Sequence, residues 1–124
     1  MGDLTLVTGG ARSGKSAFAE TLAARRGAPV TYIATLEPRD EEMADRVARH
    51  RARRPAAWRT IEANADLAAA LASAPPADTI LLDCLAVWTS NRLLALDDEA
   101  PRPTALAALE QAIAADLAAA LDRV

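Results

Sequence analysis

The chain has few of the residues that disulfide-bonded, metal-clustered and membrane-spanning proteins need. Its 124 residues include one cysteine and one histidine, and only 3% are aromatic. One cysteine excludes a disulfide within the chain and leaves no second thiol for a metal pair, which predicts a reducing, cytoplasmic setting. No apolar stretch approaches the roughly 20 residues of a membrane span, and the N-terminus carries no basic-then-apolar signal.

The charge balance is acidic, and the apolar content is that of a folded domain. The formal net charge is −3 and 52% of the residues are hydrophobic. A surplus of acid argues against nucleic acid as a partner. At this length and composition we expect residues 1–124 to form one globular domain with a core of its own.

The one lysine lies in a phosphate-binding motif. The chain has 14 lysines and arginines together, and all of them except Lys15 are arginine. Lys15 belongs to the stretch Gly9-Gly10-Ala11-Arg12-Ser13-Gly14-Lys15-Ser16, which matches G-x-x-x-x-G-K-[ST], the P-loop. A compositional bias toward arginine can explain the other basic residues, but it does not explain where the single lysine lies.

The flanks of this motif predict the strand, loop and helix that a P-loop requires. Residues 4–8 form a short apolar, β-branched run typical of a buried parallel strand. Residues 17–26 are strong helix formers, and Gly27 follows as a stop. Backbone N–H groups, the helix N-terminus and Lys15 would together hold an anion, and the Ser16 hydroxyl is placed to bind Mg²⁺. We therefore expect a nucleoside triphosphate, with ATP or GTP left open.

Strands and helices alternate along the rest of the chain. Two further strands are predicted at residues 30–35 and 79–83, and residues 58–62 are short and extended. Helices are predicted for about residues 40–54 with Asp40 or a neighbour as N-cap, for 65–73 with Asn64 as N-cap, for 85–94, and from a Thr104 cap onward. The last helix carries an apolar stripe at three- and four-residue spacing: Leu106, Leu109, Ile113, Leu117 and Leu121. This order predicts an α/β fold with a mainly parallel sheet covered on both faces.

Asp83 and His50 are the candidate chemical groups outside the motif. Asp83 ends a predicted strand at the edge where parallel sheets bind ligands, so it is either a Mg²⁺ or nucleotide contact or a helix cap. His50 shares a helix face with Met43 and Val47. It is either a half-buried structural side chain or a nucleophile, because a neutral imidazole beside a triphosphate can attack phosphorus.

The residues around these groups leave alternatives open. Five arginines lie close to His50, where they would attract polyphosphate and keep the imidazole neutral, or simply form a solvated helix face: Arg46, Arg49, Arg51, Arg53 and Arg54. Glu62 either accepts hydrogen bonds from guanine or is an ordinary exposed acid. Cys84 is most simply a small buried apolar residue, and Trp58 and Trp88 are core or interface anchors rather than base-stacking platforms.

These segments together resemble the bifunctional adenosylcobinamide kinase/adenosylcobinamide-phosphate guanylyltransferase family of cobalamin biosynthesis. The resemblance covers nearly all of the first 95 residues. It rests on Val7 to Ser16, Tyr32 to Thr35, Glu42 to Ala44 leading to His50, Arg54-Pro55, Trp58 to Glu62, and Leu82 to Leu85 leading to Trp88 and Ser90-Asn91. The fold it implies is a RecA-like P-loop NTPase of three α/β/α layers.

The resemblance implies two reactions. A nucleoside triphosphate, GTP or ATP, phosphorylates adenosylcobinamide with Mg²⁺. GMP from GTP is then carried on a histidine to adenosylcobinamide phosphate, giving adenosylcobinamide-GDP. His50 matches the guanylylated histidine, with Lys15 as the second catalytic residue and Ser16 and Asp83 as metal ligands. The implied nucleotide contacts are Gly9, Gly10, Ala11, Arg12, Ser13, Gly14, Lys15, Ser16, Ala34, Thr35, Leu36, Arg51, Ala52, Arg53, Arg54, Glu62 and Asp83.

The chain departs from the family at its C-terminal side. Family members continue through further strands and a closing helical region, so we expect this P-loop domain to be incomplete. The resemblance also implies a homo-oligomer in which a neighbouring subunit completes the site. A simple P-loop small-molecule kinase and a non-catalytic GTP-binding fragment are the alternative hypotheses.

Overall fold

The computed structural model describes residues 4–10, 13–36, 40–63, 66–76, 78–96 and 102–122. Strands and helices alternate through most of this part of the chain. The elements are α1 Lys15–Arg25, β1 Val30–Ala34, α2 Glu41–Arg53, β2 Arg59–Glu62, α3 Leu67–Ser73, β3 Thr79–Asp83, α4 Leu85–Leu94 and α5 Arg102–Asp122.

The three strands form one parallel sheet in the order β2-β1-β3. The central strand β1 is buried from Val30 to Ile33, as expected for a strand with a neighbour on each side and helices on both faces. In the register Ala34 lies opposite Glu62 on β2 and opposite Asp83 on β3. The carboxyl ends of all three strands therefore meet at one edge of the sheet.

The hydrophobic core lies on one face of this sheet. Ile33 and Leu67 are fully buried and cluster with Trp88. Ile113 and Leu117 of α5 pack against the same cluster. They belong to the predicted apolar stripe, whereas Leu106 is 43% exposed and Leu121 is outside the described side chains.

Helix α1 covers the opposite face. Asp83 and Ala34 are cross-strand partners, so their side chains point to the face away from Ile33. The side chain of Ser16, in the first turn of α1, reaches Asp83 there. Helices therefore flank the parallel sheet on both sides, and the predicted α/β fold is confirmed.

Two strand predictions need correction. Residues 4–8, predicted as a strand, have no regular structure, and Leu4 and Leu6 are 67% and 73% exposed. A strand exists only through hydrogen bonds to a neighbour, and residues 4–8 pair with none of the three strands of the described sheet. The segment at 59–62, expected only to be extended, is the strand β2.

The helix boundaries are close to those predicted, but two caps differ. The Asp40 carboxylate caps α2 by accepting the Met43 N–H at 2.7 Å, as predicted. Helix α3 is capped by Asp66, which accepts the Ala69 N–H at 3.0 Å, and Asn64 lies outside the described residues. Thr104 lies inside α5 rather than capping it. Proline at position 103 does not interrupt that helix, because a first-turn residue needs no N–H donor.

Within the described part of the chain, the helices are too short or too polar to cross a lipid bilayer.

Replacing Leu67 by alanine tests the placement of the core. Leu67 is fully buried against Ile33 and Trp88, so Leu67→Ala should lower the free energy of unfolding by about 2–5 kcal/mol. Leu94→Ala is the matched control, because Leu94 is 63% exposed and its truncation should change stability by less than about 0.5 kcal/mol. Urea unfolding followed by circular dichroism measures both, and equal losses would contradict this core.

Candidate nucleotide-binding site

The described residues of the phosphate-binding motif lie close together directly before α1. Gly14, directly before the helix, has φ +83°, a left-handed conformation that glycine adopts without strain. The Ser13 N–H donates to the Gly10 carbonyl at 3.3 Å within the motif. A Cβ on Gly9 would lie 2.5 Å from the Ser13 Oγ, so the chain comes very close to itself there. Ala11 and Arg12, both predicted contacts, lie outside the described residues.

Lys15 contacts the start of this motif. Its Nζ donates to the Gly9 carbonyl oxygen at 3.2 Å, so the ammonium folds back over the loop from the first turn of α1. The N-terminus of α1 adds partial positive charge at the same place. This combination of a full charge, a helix end and glycine-rich backbone is suited to binding an anion.

Ser16 and Asp83, predicted as metal ligands from distant parts of the sequence, lie side by side. The Ser16 hydroxyl is 3.2 Å from Oδ2 and 3.4 Å from Oδ1 of Asp83. Two oxygens that bind one Mg²⁺ at adjacent octahedral positions are about 3 Å apart, so the pair fits that ion. Among the described residues no group of three histidine, cysteine or acidic side chains could hold a metal unaided. Phosphate oxygens would have to complete the coordination.

Tyr32 also contacts Asp83, although it was not predicted as a site residue. Its hydroxyl donates to Asp83 Oδ2 at 2.5 Å, a length typical of a bond to an ionised carboxylate. Burial, followed by this hydrogen bond, raises the pKa of Tyr32 well above its usual value. The phenol therefore stays neutral and keeps donating.

Residues 34–36, predicted as nucleotide contacts, lie at the end of β1 and directly after it. Thr35 is fully buried, and its hydroxyl oxygen accepts the Cys84 N–H at 2.7 Å. Asn91 of α4 donates to the Thr35 carbonyl at 2.7 Å. Ala34 and Leu36, on either side of Thr35, are half-buried. In this arrangement Thr35 holds the end of β3 in place rather than facing solvent.

The arginines at the end of α2 contact three different elements. Arg51 pairs with Glu62 of β2 at 2.8 Å, and both side chains are largely exposed. Arg53 pairs with Glu20 of α1 at 3.0 Å. The Arg54 guanidinium lies 3.8 Å from the centre of the Tyr32 ring. Ala52 between them is exposed. The predicted basic cluster thus fastens α2 to the sheet and to α1.

His50 is half-buried, and its recorded partner is Arg53, whose Nη2 lies 3.4 Å from the imidazole Nδ1. Because arginine only donates, Nδ1 accepts, and a neutral ring then carries its proton on Nε2. Arg53 also binds Glu20, one turn or about 6 Å beyond Ser16 along α1. His50 therefore lies beside α1. None of the hydrogen bonds recorded for the described residues joins it to the loop.

Two clefts lie near these side chains. One, of about 280 Å³, is lined by Glu20, Arg53, Arg54 and Trp58 with four smaller residues. The other, of about 330 Å³, runs along β2 and α3 and includes Glu62. Trp88 is fully buried in the core, as predicted, whereas Trp58 is half-buried at the first cleft. Cys84 is half-buried.

Sequence reasoning missed Tyr32 and Glu20 as members of this site. The signal for Tyr32 was its position in the strand, because it lies two residues before Ala34 and therefore points to the same face as Asp83. No local pattern marked Glu20, since it reads as an ordinary helical acid. Only the positions of α1 and α2 in the folded chain bring Arg53 to Glu20.

A family model describes its members as cobinamide kinase / cobinamide phosphate guanyltransferase, and it matches residues 5–124. The chain is 55% identical over 95 residues to the bifunctional adenosylcobalamin biosynthesis protein CobP of Pseudomonas aeruginosa, covering 76% of this chain and 55% of the relative.

Two relatives are named bifunctional adenosylcobalamin biosynthesis protein CobU. The Salmonella typhimurium protein is 47% identical over 113 residues, which is 89% of this chain and 61% of that protein. The Escherichia coli protein is 41% identical over 116 residues, or 92% of this chain and 64% of that protein. The chain thus spans between about half and two thirds of the length of these relatives.

Alanine at Gly14 tests whether the loop geometry serves ligand binding. Gly14 and Gly27 both have positive φ, +83° and +76°, so alanine at either position should cost about 1–2 kcal/mol of stability. Only Gly14→Ala should also weaken GTP binding, by about tenfold, because relieving that strain moves the loop N–H groups. Thermal melts and calorimetric GTP titration measure the two effects. Equal affinities in the two variants would argue against the loop as the binding site.

Proposed function

The chain belongs to the cobinamide kinase / cobinamide phosphate guanyltransferase family, and from this premise we propose that it phosphorylates adenosylcobinamide and then transfers GMP to the product. GTP would supply the GMP by way of a guanylylated His50, and the final product would be adenosylcobinamide-GDP. The observation that carries this proposal is the convergence of Lys15, Ser16 and Asp83 at the N-terminus of α1.

The kinase step uses the loop and the groups around it. The loop N–H groups and Lys15 hold the β- and γ-phosphates of GTP or ATP, and Lys15 must exchange its Gly9 carbonyl for phosphate oxygen. Ser16 and Asp83 would hold Mg²⁺, which when bound neutralises charge on those phosphates. The substrate hydroxyl then forms a bond to the γ-phosphorus and loses its proton to solvent, the bond from that phosphorus to the bridging oxygen breaks, and the nucleoside diphosphate leaves with the electron pair.

The guanylyl step needs a nucleophilic nitrogen. An imidazole nitrogen of His50 bonds to the α-phosphorus of GTP, and pyrophosphate leaves with the electron pair of the broken P–O bond. The ring proton passes to solvent. A phosphate oxygen of adenosylcobinamide phosphate next attacks the same phosphorus, the P–N bond breaks, and the ring takes up a proton from solvent to regenerate the imidazole.

His50 has to change its surroundings before it can react. Its Nδ1 lone pair faces Arg53, and in the neutral ring the other nitrogen carries the proton. The imidazole must turn out of the Arg53 contact and approach the loop, or meet the loop of a neighbouring subunit. Assembly into a homo-oligomer and a cytoplasmic location belong to this same proposal.

A plain small-molecule kinase is the second candidate. It is favoured by the placement of His50 beside the middle of α1, with Arg53 as its recorded partner. In that case the loop, Lys15 and Asp83 would perform phosphoryl transfer while His50 and the arginines only fasten α2.

Labelling with radioactive GTP tests the proposed function directly. GTP labelled at the α-phosphate, with Mg²⁺, should leave on the chain a covalent label that acid removes and alkali does not, as for a phosphoramidate. His50→Ala should abolish the label. GTP labelled at the γ-phosphate should leave none, because pyrophosphate departs. A chain that binds GTP but gains no label would refute the guanylyl step.

Phosphoryl transfer to adenosylcobinamide tests the kinase step, which both candidates share. Lys15→Ala should lower the rate by at least about 100-fold in either case, since the cation that stabilises the transferring phosphate is lost. His50→Ala should leave this rate within about twofold of the unchanged chain, as it takes no part in the step. Chromatographic product assay measures both variants, and a large loss in His50→Ala would show that the two reactions share the histidine.

A further inference from the structure

Tyr32 is the one buried aromatic side chain of the sheet that meets the site. It is 3% exposed and lies in the central strand β1, next to the strand that ends in Asp83. Its two ends contact different parts of the site: the hydroxyl binds Asp83, and the ring lies beneath Arg54. Neither the loop motif nor the proposed chemistry assigns it a task.

The strand register explains the contact with Asp83. Tyr32 is paired with Leu81 and Ala34 with Asp83, so Tyr32 is the diagonal neighbour of Asp83 on one face. A long aromatic side chain reaches such a neighbour. The hydroxyl lies 2.5 Å from Oδ2, while the Ser16 hydroxyl lies 3.2 Å from the same oxygen.

The bond restricts how the carboxylate can turn. An ionised carboxylate offers about four lone-pair positions, so two hydroxyl donors leave acceptor capacity for a cation. With Oδ2 held by a buried phenol, the Asp83 carboxylate cannot rotate freely, and its oxygens stay beside the Ser16 hydroxyl. Outer partners that orient a ligating carboxylate commonly affect metal affinity by about 10–100-fold.

We propose that Tyr32 is a positioning residue for the metal–phosphate site, holding the Asp83 carboxylate in the orientation that binds Mg²⁺ on a triphosphate. The proposal rests on the nucleotide site of the proposed function. Tyr32 acts through Asp83 and touches neither substrate nor phosphorus. Arg54, over the ring, fixes the phenol from the side of α2.

The neighbouring residue Thr31 provides a matched control. Its hydroxyl donates to Asp78 Oδ2 at 2.6 Å, and its side chain is fully buried. Both contacts are hydroxyl-to-carboxylate bonds that tie β1 to the β3 region. Thr31 lies opposite Ile80, however, three residues short of the site edge. Loss of this bond should affect folding but not the metal.

Calorimetric GTP titrations, with Mg²⁺ and with EDTA, measure the part of the affinity that depends on Mg²⁺. In Tyr32→Phe that Mg²⁺-dependent gain should fall by about tenfold or more, with binding in EDTA unchanged. Thr31→Val should keep the full Mg²⁺-dependent gain in affinity, even if it lowers the melting temperature as much as Tyr32→Phe does. In an Asp83→Asn background, Tyr32→Phe should change nothing further.

A second measurement leaves the side chain in place. Tyr32 is the only tyrosine of the chain, so biosynthetic 3-fluorotyrosine gives a single ¹⁹F resonance without assignment. Adding Mg²⁺ to the GTP-bound chain should shift that resonance. This experiment stands even if Tyr32→Phe fails to fold.

The outcomes separate this inference from the proposed function. No binding of GTP, or no effect of Mg²⁺ on the unchanged chain, would overturn both. A Mg²⁺ gain in Tyr32→Phe equal to that of Thr31→Val, or a ¹⁹F resonance indifferent to Mg²⁺, would overturn the role of Tyr32 alone and leave the nucleotide site standing.

Discussion

The pairing of β1 with β3 is the constraint on which the site depends. It sets Ala34 opposite Asp83, and the Thr35 N–H continues the ladder by donating to the Asp83 carbonyl at 3.2 Å. A slip of one residue would turn Asp83 toward the core and Leu82 toward Ser16, because successive side chains point to opposite faces. Burial of Ile33 and its neighbours on the core face opposes that slip, so hydrophobic packing on one side fixes the polar chemistry on the other.

The sequence could predict whatever depends on neighbours along the chain. The helix after the loop motif, the Asp40 cap and the span of α4 follow from local signals, and the structure agrees with each of them. The failure at residues 4–8 has a different cause. An apolar β-branched run shows that a segment can form a strand, whereas the strand itself needs hydrogen bonds to a partner, and residues 4–8 make none with the described sheet. Residues 59–62 are less apolar, yet they pair with β1.

The candidate site, like the fold, could be predicted only in part from the sequence. Ser16 and Asp83 could be placed together because parallel strands end at the same edge and the loop precedes the helix that covers it. The arginines after His50 could be recognised as a cluster, but their partners could not. Arg53 reaches Glu20 across 33 positions of sequence. Such a pairing depends on how two helices pack, and no spacing rule within either helix contains that information.

The ion pairs of Arg51 and Arg53 differ in how much stability their loss would cost. This difference decides how the His50 imidazole can leave its contact with Arg53. Arg51 and Glu62 are exposed, so a phosphate could recruit Arg51 at little expense. Arg53 is different, because Glu20 is only 12% exposed and its Oε1 is buried without a recorded hydrogen bond. Removing Arg53 would leave this largely buried carboxylate without its ion-pair partner, so this pair is the more costly of the two to break. The Arg53–His50 contact is long, at 3.4 Å, and therefore weak. Rotation of the imidazole away from a stationary Arg53 is thus the cheaper route to a free nitrogen.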